Sequence, residues 1–427
     1  MQMPRTSLLV VVALGLLSGF AVAQPAPERK SATPPAASPA RPAAPAALEV
    51  PKPAAAAKFL GGALTGANYT VRPTARSDGI MRIFDVDTAY GQFQFDGVEF
   101  AKMRLRELEA AAALEKMSQS EAWAKSFGRT AVAPLKLGAD FVVNPFETMG
   151  RSVTGIHNMF DRAGASIAGQ RSNRDSLADA LLGVSDAQRQ LAIELGVDPY
   201  SDFPPLAQRL RQMAGAMAGG QLTVRAGLAA VTGGIGIGIS AASNVESAKD
   251  TLRDKTAAQV IVEVRGILIS LQIPEEMINR LVENRNYTPA DLLIMSRALM
   301  QIGAQNTAVY VDIAAEAATR VAAYFHRRRA ELLAVRGAEL GGLVAFAPVA
   351  GHAVNITRDG RAVAVFPLDD LAWTELPRRT FQSANAELRR NSPGRAAVFA
   401  TTGQVTPLAA AEIKKLGWKI VRLKPVR

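Results

Sequence analysis

The chain opens with 57 residues whose composition is not expected to build a packed core, which places the expected globular fold after Ala57. Arg5 precedes an apolar run from Leu8 to Phe20, and Ala21-Val22-Ala23 stands before Gln24. A basic start, a short apolar stretch and a small-x-small site are the marks of a cleavable export signal. The run holds 13 residues, short of the roughly 20 that span a bilayer as a helix. Cleavage near Ala23 would place the mature chain in the periplasm or cell envelope of a Gram-negative-type bacterium. Gln24 to Ala57 then carries nine of the chain's 24 prolines, with alanine in most of the gaps. Proline fixes φ and removes a donor, so this tract is expected to be an extended, disordered linker.

Beyond it the composition is that of a folded protein. Hydrophobic residues make up 48% of the chain and charged residues 20%, too apolar for a disordered one. Aromatics are only 6% and alanine is abundant, which favours close-packed helices over sheet sandwiches. The expected fold class is α+β and predominantly α-helical. A small N-terminal β-meander comes first, then a central helical bundle, then a small C-terminal α/β module with a β-hairpin. The boundaries are 1–23 for the signal, 24–57 for the linker, 58–127 for the meander and a helix, 128–340 for the helical domain, and 341–427 for the C-terminal module.

Period-two runs carry the strand expectations: Asn68 to Arg72, Met81 to Val86 and Gln92 to Phe95, with Ser77-Asp78-Gly79 and Asp96-Gly97 as turns. A helical pattern runs from Phe100 to Phe127. Ser185 and Thr288 read as N-caps, and Pro204-Pro205 opens a helix. Two long helices are expected, over Glu246–Ile273 and Asn306–Arg336. In the tail, Asp359-Gly360 between two alternating runs predicts a hairpin. Ala396–Ala400, Thr406–Leu416 and Trp418–Val421 predict strand, helix and strand.

Net charge is +11. Arg5 accounts for one of these charges and the linker for a net two, which leaves the body at +8. A basic exported body attracts acidic partners: anionic lipid, lipopolysaccharide, a cell-wall polymer, or another envelope protein. The run Arg327-Arg328-Arg329 is the candidate contact. Nucleic acid is not expected, since basic and aromatic residues are not interleaved and the signal leads outside the cytoplasm.

Ala226 to Asn244 carries no charge and is crowded by Gly227, Gly233, Gly234, Gly236 and Gly238. Small residues let helices approach closely, in a buried pair or in a membrane, so these glycines are membrane-insertion candidates within a segment Arg211–Asn244. The glycine spacing does not fit a dinucleotide fingerprint or a P-loop.

Chemistry-bearing patterns are sparse. The chain has no cysteine, which excludes disulfides, thiolate zinc sites, iron–sulfur clusters and a lipid anchor on cysteine. Its three histidines, His157, His326 and His352, form no metal-ligand spacing, so neither metal nor cofactor is expected. There is no GxSxG. The one acid–base constellation is His352 with Asp369 and Asp370, if the hairpin folds them together. The leading expectation is therefore a non-enzymatic binding or scaffolding protein for an acidic envelope partner. A membrane-active protein and a hydrolase at His352 are the alternatives.

Overall fold

A computed structural model describes residues 47–61, 64–119, 184–218 and 243–426. The export signal, Trp123, His157 and the glycines from 227 to 238 lie outside the described residues. The fold is α+β and predominantly helical. The described residues all belong to one compact unit, Ala46–Arg427.

The meander is a five-stranded antiparallel sheet. Its strands are β1 (Ala54–Ala55), β2 (Tyr69–Val71), β3 (Thr74–Ser77), β4 (Arg82–Thr88) and β5 (Gly91–Asp96). The long β4 pairs β5 along one edge and both β2 and β3 along the other. Phe84 and Val86 point into the core. The alternate positions Asp85 and Asp87 meet Arg76 at 2.9 Å and Arg72 at 3.4 Å across the sheet. The period of two thus sorts apolar from charged side chains.

The linker ends earlier than its composition suggests. Ala54 pairs with Ala75, and Ala56 is fully buried and donates its N–H to Pro73 O at 2.8 Å. Glu49 reaches the far end of the chain: its N–H donates to Trp373 O at 2.9 Å, and its Oε2 accepts from Thr406 Oγ1 at 2.6 Å. Residues 47–57 are therefore part of the fold. Proline tolerates extended backbone at a sheet edge, and docking of this kind leaves no mark in a Pro/Ala composition.

Helices α1 (Ala57–Leu60) and α2 (Val98–Ser118) flank the meander. The bundle comes next, with α3 (Asp186–Glu194), α4 (Pro204–Ala218), α5 (Ser243–Asp254), α6 (Ala257–Ser270), α7 (Glu275–Val282), α8 (Pro289–Ile302), α9 (Ala308–Ala315) and α10 (Arg320–Arg336). Ser185 caps α3, and Thr288 with Asp291 forms a capping box on α8. Both expected long helices are broken. Thr256 and Gln259 form a capping box between α5 and α6, and Thr319 caps α10 by accepting from Ala322 N at 3.2 Å. At each break a threonine in extended conformation gives its hydroxyl to the next helix. The apolar period runs on through both junctions and hides them.

The C-terminal module contains β6 (Leu343–Val349), β7 (His352–Thr357), β8 (Ala362–Phe366), β9 (Asp370–Leu371), α11 (Glu375–Asn391), β10 (Ala397–Thr401), β11 (Gln404–Val405), α12 (Pro407–Lys415) and β12 (Trp418–Arg422). Its main sheet has the order β12-β10-β8-β7-β6, with β8, β10 and β12 parallel. The hairpin β7–β8 turns at Gly360, whose φ of 81° suits glycine. The sheet is covered on both faces. Ala362, Ala364 and Phe366 belong to a core shared with the meander, α2, α11 and α12, while Val363 and Val365 belong to one shared with the bundle. A strand buried on both faces reads as continuously apolar, which is the pattern of β8. Helix α10 contributes to both cores.

The two mixed ends keep separate sheets but clasp each other through backbone. Asp369 N and Asp370 N donate to Ile80 O at 3.1 and 3.2 Å, and Ala372 N donates to Gly79 O at 2.8 Å.

Candidate functional site

Parallel strands leave their carboxyl ends beside loops, and open α/β sheets bind ligands there. Strands β8, β10 and β12 all end on one cavity of about 300 Å³. Leu368 and Asp369 come after β8, Thr402 and Gly403 after β10, and Arg422 closes β12. Across from them stand Lys58 of α1, Glu99 and Lys102 of α2, and Arg328 of α10. Four cationic side chains thus share the lining with two carboxyls. Glu99 is engaged, with Lys102 at 3.1 Å and Arg328 at 3.6 Å.

The floor depends on a close approach of two loops. A Cβ at Gly403 would lie 2.5 Å from Leu368 O and 2.6 Å from the Asp369 carbonyl, so only glycine lets this loop rest on that backbone. Thr402 Oγ1 donates to Leu368 O at 3.0 Å across the same junction.

Asp369 is the pivotal carboxyl. Its Oδ2 accepts from Arg82 N at 2.8 Å and from Val98 N at 2.9 Å, so it also serves the first amide of α2. Both of these bonds go to one oxygen, and the residue lines the cavity. Burial raises the pKa to about 7, the two backbone N–H groups pull it down, and the charges of Asp370 and Glu99 add to the rise. A carboxyl that keeps its proton longer when folded than when unfolded loses stability as pH rises between about 4 and 7. Asp369→Asn keeps an acceptor for both N–H groups without the charge. The variant is expected to be more stable than the parent at pH 8, on the order of 2 kcal/mol, with the gain vanishing near pH 4. Urea midpoints at the two pH values measure this.

Asp370 faces away from the cavity. It pairs with Arg82 and accepts from Ser77 Oγ at 3.1 Å. The Arg82 guanidinium also donates to Lys52 O at 2.8 Å and lies 4.8 Å from the Phe59 ring centroid. This cluster fastens the meander to the module.

His352 does not join the two aspartates. It is buried at the start of β7, edge-on to Phe366 at 5.4 Å, beside an apolar cavity of about 40 Å³ that Phe381 and Trp418 also line. The expected acid–base constellation is not assembled: β7 turns its first side chain into the apolar core, while the loop after β8 carries its carboxyls toward the meander.

The arginine run is not a surface patch. Arg328 and Arg329 are buried and Arg327 nearly so. Glu331, fully buried, takes Arg327 at 2.9 Å and also pairs with Arg328, which donates to Val426 O at 2.7 Å. Arg329 donates to Val365 O at 2.7 Å and to Ala353 O. Enclosure of α10 on all sides is the reason. Of the three, only Arg328 lines the strand-end cavity. The residues that composition did not single out are Lys58, Lys102, Arg422 and Gly403. Only the position of Arg422 at the carboxyl end of a strand in a β-α-β run hinted at them.

Among the described residues no group of histidines and carboxylates is placed to hold a metal ion. No described helix is long and apolar enough to cross a membrane; the five candidate glycines lie outside the described residues, and of the segment Arg211–Asn244 only residues 211–218, in α4, and Ser243 and Asn244, which open α5, are described. No family model matches the chain, and comparison with curated proteins and with solved structures finds no match.

Proposed function

We propose that the chain is an exported cell-envelope binding protein whose strand-end cavity takes an anionic, hydroxyl-bearing ligand of the sugar-phosphate class. The observation that carries this reading is the convergence of Lys58, Lys102, Arg328 and Arg422 on one cavity that Asp369 also lines. Cations hold the anionic group, and a carboxyl near its pKa both accepts from and donates to hydroxyls. The export half of the reading rests on the residues from Arg5 to Ala23. A sugar phosphate could come as a free molecule or as a unit of an envelope glycan.

Calorimetric titration of the mature chain with glucose 6-phosphate tests the reading, with glucose and inorganic phosphate as controls. Binding is expected to exceed both controls and to weaken with salt, because surface-accessible charges are screened. Lys102→Ala and Arg422→Ala should each weaken it roughly 5- to 10-fold, the ordinary worth of a charge-assisted contact. The change in affinity between pH 8 and 6 should differ between the parent and Asp369→Asn, since Asp369 gains a proton there and ceases to repel the anion, while the phosphate's own second ionisation near about pH 6 acts on both alike. Equal binding of glucose, or no binding at low ionic strength, would end the proposal. Titration with a phosphorylated polysaccharide in place of the monomer separates the two sources.

A further inference from the structure

The loop between α3 and α4 carries two carboxyls that are held in opposite ways. Asp202 has cations, Arg104 at 2.9 Å and Arg320 at 3.3 Å. Burial alone would raise its pKa, but the two arginines hold it down at about 2. Asp198, earlier in the loop, makes no ion pair among the described residues. Its Oδ1 accepts from Tyr200 N at 2.8 Å and its Oδ2 from Thr288 Oγ1 at 2.6 Å. Thr288 Oγ1 also lies 3.0 Å from Asp291 Oδ2. Three oxygens thus stand in a chain: Asp198 Oδ2, Thr288 Oγ1 and Asp291 Oδ2. Both links are of hydrogen-bond length, and each needs a proton of its own. The hydroxyl supplies one, so with both carboxyls ionised one link goes without. A proton on Asp198 Oδ2 completes the chain: Asp198 donates to Thr288, and Thr288 turns its own proton to Asp291. Thr288 Oγ1 has a lone pair for this even while it accepts from Asp291 N at 3.1 Å to cap α8.

The charged neighbours are engaged with one another. Asp291 of α8 has Arg320 of α10 at 2.7 Å. Arg327 of α10 takes Glu331 at 2.9 Å and Asp291 at 3.7 Å. Glu107 of α2 is held by Arg104 at 2.7 Å and Ser201 at 2.6 Å. Arg106 of α2 and Lys249 of α5 line the same cavity of about 110 Å³ as Asp198, and both have partners of their own. A proton is therefore the simplest positive charge that Asp198 can take up.

We propose that Asp198, Thr288 and Asp291 form a proton-operated latch, which fastens the α3–α4 loop to the N-terminus of α8 when Asp198 is protonated and loosens it when Asp198 ionises. The change is confined. Ser201 and Asp202 stay anchored to α2 and α10 through Glu107, Arg104 and Arg320, so it falls on Gly196 to Pro199, which form one wall of that cavity. The latch uses none of the residues of the sugar-phosphate reading. Burial and the charge of Asp291 raise the Asp198 pKa to about 6, while Thr288, Tyr200 N–H and Arg320 pull it down. A carboxyl whose folded pKa lies above its unfolded value near 3.9 stabilises most below that value. The contribution is lost as pH rises to the folded pKa, here between about pH 4 and 6.

Hydrogen exchange of the mature chain tests this, read by mass spectrometry on peptides that cover the α3–α4 loop and corrected for the intrinsic rate at each pH. Protection of the loop is expected to fall about tenfold between about pH 5 and pH 7.5. Asn imitates the protonated acid, since its Nδ2–H can donate to Thr288 while its Oδ1 accepts from Tyr200 N. Asp198→Asn should therefore hold the loop's protection at the acid level throughout. Asp369 titrates in both chains alike and drops out of the comparison. Thr288→Ser keeps the hydroxyl and should keep the parent's pH dependence. If Asp198→Asn does not fold, the unaltered chain and Thr288→Ser decide. Loop protection that is the same at both pH values in the parent, its pH dependence lost in Thr288→Ser, or a folded Asp198→Asn that still shows the parent's tenfold fall would each overturn the proposal.

Discussion

Glu331→Ala is expected to lower the unfolding free energy by about 3–5 kcal/mol, the usual result of stranding a buried charge. Glu331 has no exposed surface, and its two oxygens are divided between Arg327 and Arg328. Arg328 is buried, and its guanidinium also donates to Val426 O of the C-terminal tail. Burial pulls the pKa of both arginines down, but Glu331 and Tyr324, with Asp291 beside Arg327 and Glu99 beside Arg328, together more than offset it, so both keep their proton. Glu331→Gln preserves shape and one acceptor, and should lose less than the alanine variant. Urea denaturation followed by circular dichroism gives the difference. A loss under about 1 kcal/mol would mean that water reaches both arginines, and that α10 is not enclosed.

The second large effect is expected at Arg329. This side chain leaves α10 and crosses into the C-terminal sheet, where it donates to Val365 O of β8 and Ala353 O of β7. Its guanidinium lies 4.3 Å from the centroid of Phe366 and 5.5 Å from that of Tyr310. Burial pulls its pKa down to about 10, with no carboxylate to offset the cost. Arg329→Ala removes the packing and leaves two buried carbonyls without this donor, at about 1–3 kcal/mol each, so a total of about 3–5 kcal/mol is expected. Arg329→Met restores most of the volume and relieves the burial of a charge. It should cost only about 1–2 kcal/mol despite the lost hydrogen bonds. If the methionine variant is no better than alanine, the carbonyl bonds rather than the packing hold the sheet to α10.

These two expectations turn on a run that looks quite different in one dimension. Arg327, Arg328 and Arg329 span about 200° of a helix circumference at 100° per residue. On a helix with one solvated face such a run reads as an exposed basic cluster near the C-terminus. It becomes interior only because the meander packs on one side of α10 and the bundle and sheet on the other. Periodicity describes the helix but not the number of its neighbours. Much the same applies to His352 and the aspartates. Their closeness in sequence is real, yet successive positions around β7 and β8 serve opposite faces of the sheet or leave it altogether.

Local chemistry was legible where it acts over a few residues. The Asp359-Gly360 turn, the caps at Ser185 and Thr288, the strand–helix–strand run after Ala396 and the alternation in β4 all depend on neighbours within about a turn or a hairpin. Sequence alone was enough to determine these elements and the predominantly helical α+β class, since propensity, capping and period are properties of short segments. Tertiary closure decided the rest. Glu49 meets Trp373 and Thr406, Asp369 caps α2, and three strand ends assemble the cavity with Lys58 and Lys102. Those pairings join residues hundreds of positions apart, and their free energy comes from burial that exists only once both partners are already in place.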